Sequence, residues 1–145
     1  MDIFLKLDPP TATSQENKTA VVNGRIMHYK SKSAQKTFAT LTAALKPFAP
    51  AEPMEGPIRL MTVWKFPRGK SHKDGEWKTS RPDTDNLVKA LKDVMTRLGF
   101  WKDDSQVCCE IISKFWSAEP GIDISFSQIR TPCYGGDKDD EPGSD

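Results

Sequence analysis

The order of strand and helix patterns along this chain predicts an α+β domain, a mixed β-sheet with two α-helices packed on it. Three observations carry that expectation. Short apolar runs suited to strands stand towards both ends of the chain. Two stretches repeat their apolar residues at helical spacing, and a strand pattern separates them. Two more strand patterns follow the second helix.

Taken in order, Ile3, Leu5 and Leu7 alternate with Phe4 and Lys6, a first strand that Asp8-Pro9-Pro10 ends. Residues Thr11–Lys18 are polar and read as loop. Val21-Val22 and Ile26–Tyr29 flank Asn23-Gly24, a pair that suits a tight hairpin turn. A helix is expected from Ser33 to about Leu45, capped by Ser31 or Ser33, with Phe38, Leu41 and Leu45 on one face and Pro47 ending it. After the Pro- and Glu-rich loop Pro50–Pro57, Ile58–Phe66 is the strongest strand pattern. Its Ile58, Leu60, Thr62 and Trp64 share one face, and Met61 and Val63 the other. The second helix is expected from Asp83 to Leu98, where Leu87, Leu91, Val94 and Leu98 form one stripe and Gly99 suits a left-handed cap. Val107–Trp116 and Ile122–Ile129 are strands joined by a turn at Pro120-Gly121.

A chain of 145 residues is one domain with a single core. No apolar run approaches the ~20 residues of a bilayer span and no signal peptide is evident, so no membrane contact and a cytoplasmic location are expected. Cys108 and Cys109 are neighbours that a strand points to opposite faces, and with Cys133 they make an odd count, which argues against a disulfide framework. Residues 133–145 hold five acidic residues against Lys138 alone, an acidic tail after a folded domain at 1–132. Without it the chain has 20 basic and 15 acidic residues. Lys65, Arg68, Lys70, Lys73, Lys78 and Arg81 concentrate that excess ahead of the second helix, a patch suited to phosphates. Trp64, Trp101 and Trp116 are expected in the core. Phe66 and Trp77 flank the basic loop, within reach of whatever binds that patch.

The chemistry-bearing residues are aspartates. Asp83-Thr84-Asp85-Asn86 opens the second helix, where acids also serve as caps and complement the helix dipole. The helical wheel puts Asp85, Lys89 and Asp93 opposite the leucine stripe, on a surface that a polyanion can reach. Asp103-Asp104 follows that helix, either as a simple turn or as a source of one more carboxylate near Asp83 and Asp85. Carboxylates with no His or Cys beside them favour a hard cation such as Mg²⁺ or Mn²⁺ over zinc. His28 and His72 are isolated in the sequence and read as ordinary histidines.

Arg81-Pro82-Asp83-Thr84-Asp85-Asn86-Leu87-Val88-Lys89, followed by Gly99-Phe100-Trp101-Lys102-Asp103-Asp104-Ser105-Gln106-Val107, resembles the signature of the RusA-type Holliday-junction resolvases. These are small endodeoxyribonucleases common in phages and prophages. Pro9-Pro10-Thr11 is similar to a weaker N-terminal sign of that family. The resemblance implies a RusA-like fold and a homodimer with two Mg²⁺-dependent sites that nick a four-way DNA junction symmetrically. It implies that Asp83, Asp85 and Asp104 bind the metal, that Lys89 is an essential lysine of the site, and that Asn86 and Asp103 support it. Lys65, Arg68, Lys70, Lys73, Lys78, Arg81 and Lys102 are then expected on flanking phosphates. A less selective nuclease for branched or flap DNA, and a catalytically silent DNA-binding module, are the alternatives.

Overall fold

The computed structural model describes the backbone of residues 1–11 and 17–130, and the side chains of all of these except 17–20 and 27–30. The acidic tail expected at 133–145 lies outside the described residues. Among the described residues, six strands and two α-helices follow in the order β1 (Asp2–Leu5), β2 (Asn17–Val22), β3 (Arg25–Lys30), α1 (Lys32–Leu45), β4 (Ile58–Pro67), α2 (Thr84–Arg97), β5 (Val107–Ser117) and β6 (Gly121–Gln128). The first strand stops at Leu5, short of the expected Leu7.

The sheet is mixed, as expected. Its strand order is β1-β6-β4-β5. β4 lies antiparallel to β6 and parallel to β5, with Ile58 opposite Val107 and Pro67 opposite Ser117. β2 and β3 form a separate antiparallel pair, whose turn places Asn23 and Gly24 at φ 51° and 74°. Such angles suit a two-residue turn that an Asn-Gly pair adopts readily.

Ser31 is the residue that caps α1, accepting from the Ala34 backbone N–H at 3.1 Å. Leu41 and Leu45 then point inward with Leu87, Leu91, Val94 and Met95 of α2. They meet the face of the sheet made by Ile58, Leu60, Trp64, Phe66, Ile122, Ile124 and Phe126. The opposite face of the sheet is open, and Phe4, Met61 and Ile111 are exposed there. Trp64 and Trp101 are buried as expected, and Trp116 is partly buried against the core. Phe66 is buried too, which removes it from reach of DNA, whereas Trp77 is exposed. Cys108 is free. No helix among the described residues is long and apolar enough to cross a membrane.

Thr62 and Trp64 are both fully buried, and the Trp64 indole N–H donates to Thr62 Oγ1 at 2.9 Å. Thr62→Val keeps the shape and strands that donor. It should destabilise the protein by about 1–3 kcal/mol in urea denaturation with an unchanged slope. A loss below about 0.5 kcal/mol would show that the indole finds another acceptor.

Candidate active site

The segment between β4 and α2 leaves the sheet at Pro67 and turns back along the edge of β5. Gly75 N–H donates to Trp116 O and Trp116 N–H to Glu76 O, each at 2.8 Å, and Trp77 bridges Phe115. The loop read from sequence as simply polar and basic is therefore docked over part of its length. His72 stacks on the Trp116 ring with centroids 4.0 Å apart. Its Nδ1 is 3.4 Å from Glu76 Oε2 but makes no aligned hydrogen bond, so the pair is electrostatic only when the imidazole is protonated. Backbone hydrogen bonding from Lys73 holds the Glu76 carboxyl below its ordinary range.

Two lysines fasten the end of this segment. Lys78 is 6% exposed, and its ammonium donates to Arg81 O at 2.6 Å, to Ser80 Oγ at 2.7 Å and to Ser80 O at 3.4 Å. Its Nζ lies over the Trp116 and Phe66 rings at 4.5 and 5.1 Å. Burial lowers the pKa of Lys78, and the nearby charge of Lys114 adds to the effect. Lys114 reaches in from β5 and donates to Ser80 O at 2.6 Å and Pro82 O at 2.7 Å. The carbonyls of Ser80, Arg81 and Pro82, which lead into α2, are thus all held by ammonium groups.

Asp83 is the N-cap of α2 by backbone conformation, yet its side chain makes no capping hydrogen bond. Asp85 follows in the first turn, and Asp83, Asp85 and Lys89 are all exposed. No ion pair forms between Asp85 and Lys89. Leu87 and Leu91 anchor the opposite side of the helix, so the surface expected to be open is open. Asn86, next along the helix, is partly buried.

Asp103 and Asp104 behave differently from each other. Asp103 caps a 3-10 turn over Asp104–Gln106, its carboxylate accepting from Ser105 N–H at 2.8 Å while Gln106 Oε1 accepts from Asp103 N–H. The Ser105 backbone N–H also holds the Asp103 carboxyl below its ordinary range. Asp104 makes no such cap and is partly exposed at the head of β5.

The fold does not bring Asp104 to Asp83 within one chain. Lys92 of α2 pairs with Glu110 of β5, and Lys114, further along β5, holds Pro82. Helix and strand therefore run in opposite directions, with Asp83 towards one end and Asp104 at the other. From Val107 to Lys114 the strand advances roughly 20 Å, matching the length of a helix such as α2. Among the described residues no three His, Cys, Asp or Glu side chains stand close enough to hold a metal ion. Asp83 and Asp85 offer oxygen donors at one end, and a three-carboxylate centre does not fit one chain. The expectation that Asp104 folds back to them is corrected to that extent.

The basic residues divide as well. Arg68, Lys70, Lys73 and Arg81 are exposed around the docked segment. Lys78 is not open to phosphates, because its ammonium is buried among carbonyls. Lys65 lies on the open face of the sheet, 2.9 Å from Asp123 and over the Phe4 ring. Lys102 is exposed beside Glu55, at the Asp104 end. Lys114 was missed by the sequence reading. Its signal is a charged residue between Ile112 and Trp116 on the face that β5 turns to the helix, where an unpaired ammonium is costly.

Against known proteins, the model of the family Endodeoxyribonuclease RusA matches residues 8–127. A crossover junction endodeoxyribonuclease rusA of Lactococcus phage r1t is 30% identical over 126 residues, covering 86% of this chain and 95% of that protein. An uncharacterized protein, YqaN, of Bacillus subtilis (strain 168) is 29% identical over 122 residues, covering 76% of this chain and 84% of its own length. The matched span takes in β4, β5 and nearly all of β6, both helices and the aspartates at either end of α2: the chain belongs to the RusA family of endodeoxyribonucleases, enzymes that cut DNA internally.

Proposed function

We propose that this chain is a divalent-metal-dependent endodeoxyribonuclease that acts as a homodimer and resolves Holliday junctions by paired, symmetric hydrolysis. The carrying observation is the Asp83–Asp85 pair at the start of α2. Both carboxylates are exposed, Asp83 is not spent on its cap, and Lys89 stands one turn away. The phage relative is named for crossover junctions, which supports a four-way junction as substrate. DNA as substrate puts the enzyme in the cytoplasm. Residues 1–132 make up the nuclease domain, with 133–145 as an acidic appendage.

In this reading Asp83 and Asp85 of one subunit and Asp104 of the partner subunit form each site. β5 is the outer strand of the sheet, and among the described residues the docked segment pairs only with its far end. Two-fold antiparallel pairing of β5 with its copy turns Asp104 of each subunit toward the Asp83 end of the other. Oxygen donors suit Mg²⁺, with Mn²⁺ as a substitute, and such an ion supplies an acidified water and charge stabilisation when bound.

The reaction forms a bond between a water oxygen and phosphorus while the bond to one ester oxygen breaks. The positive end of α2 and the ammonium groups behind it offset the repulsion between the neighbouring carboxylates of Asp83 and Asp85. Lys89 brings positive charge to the phosphate as it gains charge in the transition state. Asn86 and Asp103 support the site, Asp103 by fixing the turn that presents Asp104. Arg68, Lys70, Lys73, Arg81 and Lys102 hold flanking phosphates, so affinity falls steeply with salt.

Synthetic four-way junctions beside flap and linear duplexes, each with Mg²⁺, test the function. Paired symmetric nicks of the junction are expected, and Asp85→Asn should slow them at least about a hundredfold. Equal cutting of flaps would overturn junction selectivity, and binding without cleavage would overturn the enzymatic reading. Mixing inactive Asp85→Asn subunits with inactive Asp104→Asn subunits tests the shared site. Half of randomly mixed dimers then carry one intact site of two, so roughly a quarter of wild-type nicking should return. No recovery after subunit exchange would overturn the shared site. Finally, Asp103→Asn retains a capping oxygen and should keep most activity, whereas Asp104→Asn should not. Equal losses would mean that Asp103 also contacts the reacting groups.

A further inference from the structure

We propose that Lys78 and Lys114 are positioning residues of this active site, fixing Ser80–Pro82 so that α2 begins with Asp83 and Asp85 presented together. The proposal rests on the nuclease reading above and adds two residues that lie outside the Asp83–Val107 motif.

The contacts are unusually complete. Lys78 Nζ has three N–H donors, matched by Ser80 O, Ser80 Oγ and Arg81 O. Lys114 places two of its three on Ser80 O and Pro82 O. Ser80 O accepts from both lysines, and every carbonyl from residue 80 to 82 is held. A buried ammonium needs such partners, because nothing else replaces its water. An apolar side chain would fill the gap between Phe66 and Trp116 at lower electrostatic cost, so packing alone does not account for a lysine there.

Charge argues the same way. Two ammonium groups that share one carbonyl oxygen repel each other. Carbonyl dipoles offset part of that repulsion, and a pair of carboxylates immediately down the chain offsets more. The arrangement is reciprocal, since Asp83 and Asp85 also repel and gain from positive charge behind them. The clasp thus sets both the direction in which α2 starts and the field in which its first carboxylates sit.

The test compares full-length Lys114→Met, Lys114→Arg and Lys78→Met with Leu45→Ala, a buried change at the last residue of α1 that controls for lost stability. Three quantities are read: thermal midpoint, kcat and KM on a four-way junction, and Mn²⁺ affinity of the DNA-free protein by electron paramagnetic resonance. Lys114→Met should lower kcat and Mn²⁺ affinity by about ten- to a hundredfold, with KM changed by no more than about twofold. Lys114→Arg should recover most of both, and Leu45→Ala should lower the midpoint while sparing both. If Lys78→Met does not fold, the Lys114 pair carries the comparison. Wild-type kcat and Mn²⁺ affinity in Lys114→Met would overturn the proposal, as would equal losses in Leu45→Ala. A wild-type protein that neither cuts the junction nor binds Mn²⁺ would overturn the nuclease reading instead, which keeps the two failures distinct.

Discussion

The parallel pairing of β4 with β5 constrains everything near the site. Parallel neighbours cannot be joined by a hairpin, so the chain must cross back over the face of the sheet before β5 begins. α2 is that crossing, and its leucine stripe is what keeps it there. Such a connection fixes where its two ends lie. The residues entering the helix stand at the end where β4 finishes, and those leaving it stand where β5 starts. Asp83 and Asp104 are assigned to opposite ends by topology, before any side chain is considered. The roughly 20 Å between them follows from the length of strand that the helix must span.

The entry end is also where the fold spends polar interactions freely. The segment before α2 lies on the outer edge of β5 through backbone bonds at Gly75, Trp116 and Lys78. It is then drawn down by the two lysines. Edge coverage of this kind satisfies backbone groups that an outer strand would leave open, and it makes a long connection rigid. Rigidity matters at this point. A helix start frays when its first N–H groups lack partners and its incoming chain is free. Here the incoming chain is fixed by its carbonyls, which leaves Asp83 able to hold N-cap geometry without committing its carboxylate.

Periodicity made much of this fold legible. The faces of β4, the leucine stripe of α2, the Asn-Gly turn and the Ser31 cap each follow from local spacing and the chemistry of one or two residues. The aspartates were legible as a set through the motif that contains them. Topology was less so: nothing in the pattern of β5 says that it runs parallel to β4, because that depends on partners distant in sequence. Lys78 shows the same limit. In a run of basic residues it reads as one more surface charge, and only the approach of Phe66, Trp116, Ser80 and Arg81 turns it inward. Lys114 carried a usable sign, a charge between Ile112 and Trp116 on the strand face turned to the helix, but a sign of burial does not name the partner.

Asp103 and Asp104 show how neighbours of one chemical type are separated by geometry. The first accepts from Ser105 N–H and belongs to the turn; the second starts that turn without capping it. A capped turn holds the following strand in register and leaves Asp104 at the end of the sheet away from its own α2 start. For a single subunit that direction leads nowhere useful. In the proposed dimer it leads to the partner, so that each cut depends on both chains, and a subunit without its copy has no complete site. Such dependence suits the proposed paired nicking, since it would withhold activity until both halves are assembled on the junction.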